Sequence, residues 1–182
     1  AFQCGTAMKY AMALIGCLAN QGGPIWWGSQ HRCHHKYCDV DRDPHSPTIS
    51  GTERAFAFFG IRKEVEEDFA PLHMDSIPMR ILDTWAFLVC SAELILSWTF
   101  FGNTGLFVSY VSAWLCQTIT LWFNVVNHPL KIQDRKCKAV NSSGWTISYD
   151  ECGLYLPFYF LDSLIPFYAS VVMEGEHLLH HD

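Results

Sequence analysis

His31-Arg32-Cys33-His34-His35 and His177-Leu178-Leu179-His180-His181 repeat one pattern, His-x-x-His-His, at two distant places in the chain. On a helix, positions i, i+3 and i+4 share a face, so each box can aim three imidazoles at one point. A seventh histidine, His128, follows Asn124 by four residues and shares a helical face with it. Imidazole suits iron, zinc, copper and nickel. A structural zinc takes four ligands, usually with cysteine, and no Cys-x-x-Cys pair is present. Seven histidines exceed one such site and fit two metals with oxidative iron chemistry. A single box is more often a surface feature than a site; two boxes with an Asn-x-x-x-His carry more weight.

The elements that must position these groups follow from the apolar pattern. Residues 81–101 and 106–126 are each near the ~20 residues that cross ~30 Å of hydrocarbon. Gly102-Asn103-Thr104-Gly105 separates them, which predicts an antiparallel transmembrane hairpin. All 12 Lys and Arg lie outside it, so residues 1–80 and 127–182 are expected on one side, the cytoplasmic one. The turn of the hairpin then brings Asn124 and His128 back to the membrane face that carries the first box. The competing reading is a soluble helical bundle that buries the hairpin. Glu93, mid-span, is expected neutral or facing the bundle interior. Residues 8–19 form a shorter apolar segment, ended by Gln21-Gly22-Gly23-Pro24. Leu154–Met173 is apolar but broken by Pro157 and Pro166, which predicts an interfacial or interrupted helix.

Composition agrees with a membrane setting. Half of the 182 residues are hydrophobic and 16% are charged, against about 25% charge in ordinary soluble domains. The formal charge of −6 gives no basic footprint for nucleic acid. The eight cysteines read as free thiols without a disulfide framework. Asn141-Ser142-Ser143 is a glycosylation sequon that matters only in the lumen. The fold expected is all-α: one integral-membrane domain over 1–182, with a cytoplasmic histidine-rich cap.

The stretches "HRCHHKYCDVDRDPHSP", "GGPIWW", "NVVNH" and "GEHLLHH" resemble the integral-membrane fatty acid desaturases, nearest the acyl-CoA and acyl-lipid Δ9-type branch. The resemblance runs over most of the chain, is most specific at 22–47 and is weakest at 130–170. It implies a di-iron centre with His31, His34, His35, His128, His177, His180 and His181 as ligands. Asn124 would contact one iron, directly or through water. It further implies a long-chain acyl substrate, as a CoA ester or lipid-linked. Dioxygen and two electrons would be consumed, the electrons from a donor such as cytochrome b5 or ferredoxin. The membrane would be the endoplasmic reticulum ahead of a plastid or bacterial inner membrane. An earlier His-x-x-x-x-His box of the family is expected just before Ala1, so the chain reads as a piece cut at both ends and inactive alone. Departures from the pattern are Trp26 where an acidic residue often stands, leucines at 178 and 179, and Pro129 after His128.

Trp27 is a candidate for the wall of an acyl tunnel, although a single aromatic is more often core packing or an interfacial ring. Arg32, Lys36 and Arg42 can steer an acidic electron donor or pair with Asp39, Asp41 and Asp43. Those aspartates can instead accept the second N–H of ligating histidines. His45 suits a turn or such a supporting role, and His73 an exposed position. A lipid hydroxylase or oxygenase on the same scaffold is the alternative enzyme. A non-enzymatic metal-binding membrane protein is the alternative outside catalysis.

Overall fold

A computed structural model describes residues 4–56, 64–128, 130, 134 and 136–139. Among them every regular element is helical: α1 (Thr6–Cys17), α2 (Pro24–Tyr37), α3 (Pro47–Ser50), α4 (Thr52–Phe56), a 3₁₀ turn (Glu67–Phe69), α5 (Ile77–Thr84) and α6 (Ala86–Asn127). The all-α class expected from the sequence holds. His177, His180, His181, the sequon at Asn141 and the Leu154–Met173 stretch lie outside the described residues. The chain divides into two compact units, Ala1–Arg32 with Phe59–Ile119, and Cys33–Phe58 with Thr120–Asp182.

The first unit is organised by the start of α2. Asn20 and Gly22 take left-handed backbone (φ 54° and 86°) and turn the chain after α1. The ring of Trp26 lies against Gly22, so a side chain there would be both strained and crowded. Pro24 opens α2 at a position where its missing N–H costs nothing. The next two amides are satisfied from α5: Asp83 Oδ1 accepts from Ile25 N at 2.7 Å and from Trp26 N at 2.8 Å. A carboxylate at a helix N-terminus answers both the unpaired amides and the dipole. Gly23 makes that approach possible, because a Cβ on it would run into Asp83. Ala13, Ile25, Ala70 and Met79 form the small buried core of this unit, with Tyr10, Val65, Met74 and Leu82 packed around it.

α6 reverses direction at Gly102, whose φ of 62° and ψ of −153° are not helical. Ser109 Oγ donates to Ser97 Oγ at 2.8 Å. Twelve residues of unbroken helix would hold those atoms about 18 Å apart, so the two limbs lie side by side. Gly105 sits against the carbonyl of Ser97, where no side chain fits. Ser97 in turn donates to Glu93 Oε1 at 2.9 Å, so this acid turns toward the returning limb. Cys90 Sγ reaches Cys17 O at 2.9 Å, and Gln21 Nε2 reaches Cys116 O at 3.4 Å. Positions 90 and 116 therefore stand near the same end of α1, as an antiparallel pair requires.

α6 is long and apolar enough to cross a membrane by length and composition, and only 11% of its most apolar window is buried. Phe100, Phe101 and Phe107 are each at least two-thirds exposed. α1 shows Met8, Leu14 and Ile15 outward in the same way. Outward apolar faces of this kind are what hydrocarbon covers.

Candidate metal centre

α2 carries the first histidine box, and the chain after it supplies the supporting acids. Asp39 (φ 56°) and Arg42 (φ 84°) adopt left-handed backbone, which folds residues 39–46 back beside the end of α2. In that turn Asp43 accepts from Asp39 N at 2.8 Å and from His45 N at 3.1 Å. Its remaining reach goes to His34: Nδ1 lies 2.8 Å from Oδ2 and 3.0 Å from Oδ1. Both residues are buried. Ser46, fully buried, donates to Asp39 Oδ1 at 2.6 Å and caps α3 through Thr48 N and Ile49 N.

The second imidazole arrives at the end of α6. His128 is fully buried, and its Nδ1 is 2.7 Å from Asp39 Oδ2. The same oxygen accepts from Lys138 N at 2.7 Å. The His34 ring stacks on His45 at 4.2 Å between centroids and meets His128 edge-on at 4.9 Å. His35 stands edge-on to His34 at 5.9 Å. Asn124 Nδ2 donates to the His45 carbonyl at 3.1 Å, and its side chain also hydrogen-bonds the His45 side chain. All of these residues belong to the second unit.

Burial alone pushes Asp39 up, but the hydrogen bond and charge of His128, with Ser46 and the Lys138 amide, bring it down to about 2. Burial wins at Asp43, which rises to about 7 against the amides of Asp39 and His45. Desolvation, helped by the charge of His128, lowers His45 to about 3. His45 is thus neutral at physiological pH, the form that binds metal.

Two carboxylate–histidine pairs therefore lie side by side. Each fixes Nδ1 of its imidazole, so a metal would be taken through Nε2. Donor atoms of His34, Asp43 and His45 lie within 4.8 Å of one another, as do those of His34, Cys38 and His128. This is a nitrogen-rich donor set with oriented rings, and it fits an imidazole-binding metal such as iron.

One expectation fails here. Cys38 and Cys137 are joined by a disulfide, with Cα atoms 5.0 Å apart, rather than being free thiols. They stand 99 residues apart with no characteristic spacing, so only the fold pairs them. Among the described residues, Cys4, Cys17, Cys33, Cys90 and Cys116 form no disulfide. Arg42 lies over the Tyr37 ring at 5.1 Å and donates to its hydroxyl.

The remaining residues expected at the site divide as follows. His31 is in the first unit, its ring edge-on to Trp27 at 4.6 Å. Trp27 Nε1 donates to Gln21 Oε1 at 2.8 Å. Trp27 also lines a groove of about 1040 Å³ with Met12, Ala13, Gly16, Gly28 and Met74. Sequence reasoning gave His45 no ligand role, yet its ring lies against His34. Its only local signal is the Asp-Pro-His turn at 43–45.

No protein-family profile matches the chain, and no solved structure matches it. Curated proteins do. A chloroplastic palmitoyl-monogalactosyldiacylglycerol delta-7 desaturase of Arabidopsis thaliana is 53% identical over 47 residues, 26% of this chain and 13% of that protein. An sn-2 palmitoyl-lipid 9-desaturase of Nostoc sp. (strain 36) is 54% identical over 46 residues, 25% of this chain and 16% of that protein. This segment of the chain is similar to fatty acid desaturases. An acyl-CoA C20 Delta5-desaturase of Anemone leveillei is 50% identical over 46 residues, 25% of this chain and 15% of that protein. The matched segment thus spans 13–16% of the length of these desaturases.

Proposed function

We propose that the chain contributes the metal centre of a membrane-bound di-iron fatty acyl desaturase. The observation that carries this reading is the pair of buried carboxylate–histidine contacts, Asp43–His34 and Asp39–His128, on a chain related to desaturases. In this reading His31, His34, His35, His128, His177, His180 and His181 ligate two irons, with Asn124 beside one of them. When bound, the irons supply the oxidising power by which dioxygen and two electrons remove two hydrogens from neighbouring unactivated carbons. The chain's residues do the rest. Asp43 and Asp39 hold the Nδ1 protons and keep the rings aimed. His45 closes one side of the site against His34. The Trp27 groove receives the acyl chain and keeps it from water. Arg32 and Lys36, both exposed, steer an acidic electron donor such as cytochrome b5 or ferredoxin.

The apolar segments 81–101, from the end of α5 into α6, and 106–126 cross the bilayer as a hairpin, and the metal face is cytoplasmic. The endoplasmic reticulum fits an acyl-CoA substrate. A chloroplast envelope or thylakoid would suit a lipid-linked one, as in the chloroplastic relative.

The test uses the full-length protein in membranes, supplied with a saturated acyl-CoA or a saturated acyl-lipid. His34→Ala and His180→Ala should each abolish alkene formation while membrane insertion persists. Retained desaturation in either variant would refute the ligand assignment. An alcohol in place of the alkene would instead identify a hydroxylase. Bound zinc without oxygen uptake would exclude both enzymes.

A further inference from the structure

The disulfide stands directly beside the histidine–carboxylate pairs of the candidate metal centre. Cys38 is the first residue beyond α2 and is buried, 7% exposed. Cys137 is half-buried, next to the exposed Lys136. The bond ties residues 137–139 to the turn that carries both supporting acids. Cys38 Sγ lies 3.9 Å from His128 Nδ1. The residue after Cys137, Lys138, gives its amide N–H to Asp39 Oδ2, the oxygen that also holds His128. The disulfide thus joins the residue before Asp39 to the residue before Lys138, and Asp39 and Lys138 meet at that oxygen.

We propose that Cys38–Cys137 is a thiol–disulfide exchange site, opened by a dithiol reductant, whose state sets the hold of Asp39 on His128. The attacking thiolate meets Cys137 Sγ, the more accessible sulfur, and Cys38 leaves as a thiolate that takes up a proton. The second thiol of the reductant then attacks the mixed disulfide, freeing Cys137 as a thiol and leaving the reductant as a disulfide. Two electrons and two protons pass from reductant to protein. With the tether gone, residues 137–139 leave the Asp39 carboxylate, which then holds the His128 ring less firmly. On a cytoplasmic face a disulfide is transient or redox-sensing rather than a permanent staple, so the pair is expected to cycle. This inference stands apart from desaturation, because its readouts are thiol labelling and amide exchange.

The experiment equilibrates the full-length protein in detergent micelles with oxidised and reduced dithiothreitol in varying ratio. Free thiols are then trapped by alkylation and located by mass spectrometry. Cys38 and Cys137 should become reactive together, in one two-electron step, while the protein remains folded. Hydrogen exchange over residues 136–139 should be at least tenfold faster in the reduced protein. The double variant Cys38→Ser/Cys137→Ser should exchange at the fast rate whatever the redox buffer. If that variant does not fold, the oxidised and reduced wild-type protein give the same comparison. The proposal is overturned if the two thiols never pair, if they open only on denaturation, or if exchange over 136–139 is the same in both states.

Discussion

Asp39 and Asp43 are chemically identical and four residues apart, yet their surroundings drive them in opposite directions. Asp39, held at about 2 by His128, Ser46 and the Lys138 amide against the cost of burial, lends stability that is complete above the ordinary carboxylate value of ~3.9. That contribution, roughly 2 kcal/mol by the size of the shift, is lost as pH falls through 2. Asp43, raised to about 7 by burial, has the opposite sign: its contribution is complete below ~3.9 and is lost as pH rises through 7. Infrared titration of the metal-free protein should show the Asp43 carboxyl protonating near neutrality, with Asp39 still ionised at pH 4. Asp39→Asn and Asp43→Asn should each weaken iron retention about 10–100-fold, the usual effect of losing a carboxylate behind a histidine ligand. Iron content after dialysis against a graded chelator measures this, and an unchanged content would remove these acids from the site.

At the scale of elements, α2 is set from a distance. Its first amides are answered by Asp83 on α5, fifty-eight residues along the chain. Asp83→Ala should cost about 1 kcal/mol through the lost cap, and somewhat more because two buried amides lose their acceptor. Gly23→Ala should destabilise as well, since its Cβ would collide with Asp83. Thermal unfolding of the detergent-solubilised protein reads both; equal midpoints for wild type and Asp83→Ala would show that the cap is dispensable. The end of the first apolar helix was legible in Gln21-Gly22-Gly23-Pro24, and the reversal at Gly102 in the glycines that interrupt the apolar run. The partner of the α2 N-terminus was not legible, because local periodicity carries no information on which distant side chain arrives. The same holds for Asp39 with His128, 89 residues apart, and for Cys38 with Cys137. The aspartates were visible as candidate supports for the histidines; which acid serves which ring needed the turn at Asp39 and Arg42.

At the scale of the whole molecule, the all-α class and the outward apolar surface follow from composition and run length. A chain with few charges and two runs near membrane length cannot hide them all inside so small a body. The topology has a direct check. In microsomes the protein should resist extraction by alkaline carbonate, and Asn141 should remain unglycosylated if, as proposed, residues 127–182 lie on the cytoplasmic side. Glycan addition at Asn141 would invert the topology and put the charge reading at fault.

The turn from Asp39 to Ser46 has a consequence for how this region can vary. One short segment aims both acids, and each angle depends on the same few left-handed backbone positions. A substitution at either acid disables one imidazole. A single residue inserted or deleted between 39 and 43 would misdirect both at once. The segment should therefore tolerate replacement at Val40 or Asp41 while rejecting any change in length, so that its spacing, more than its composition, is what natural variation must preserve.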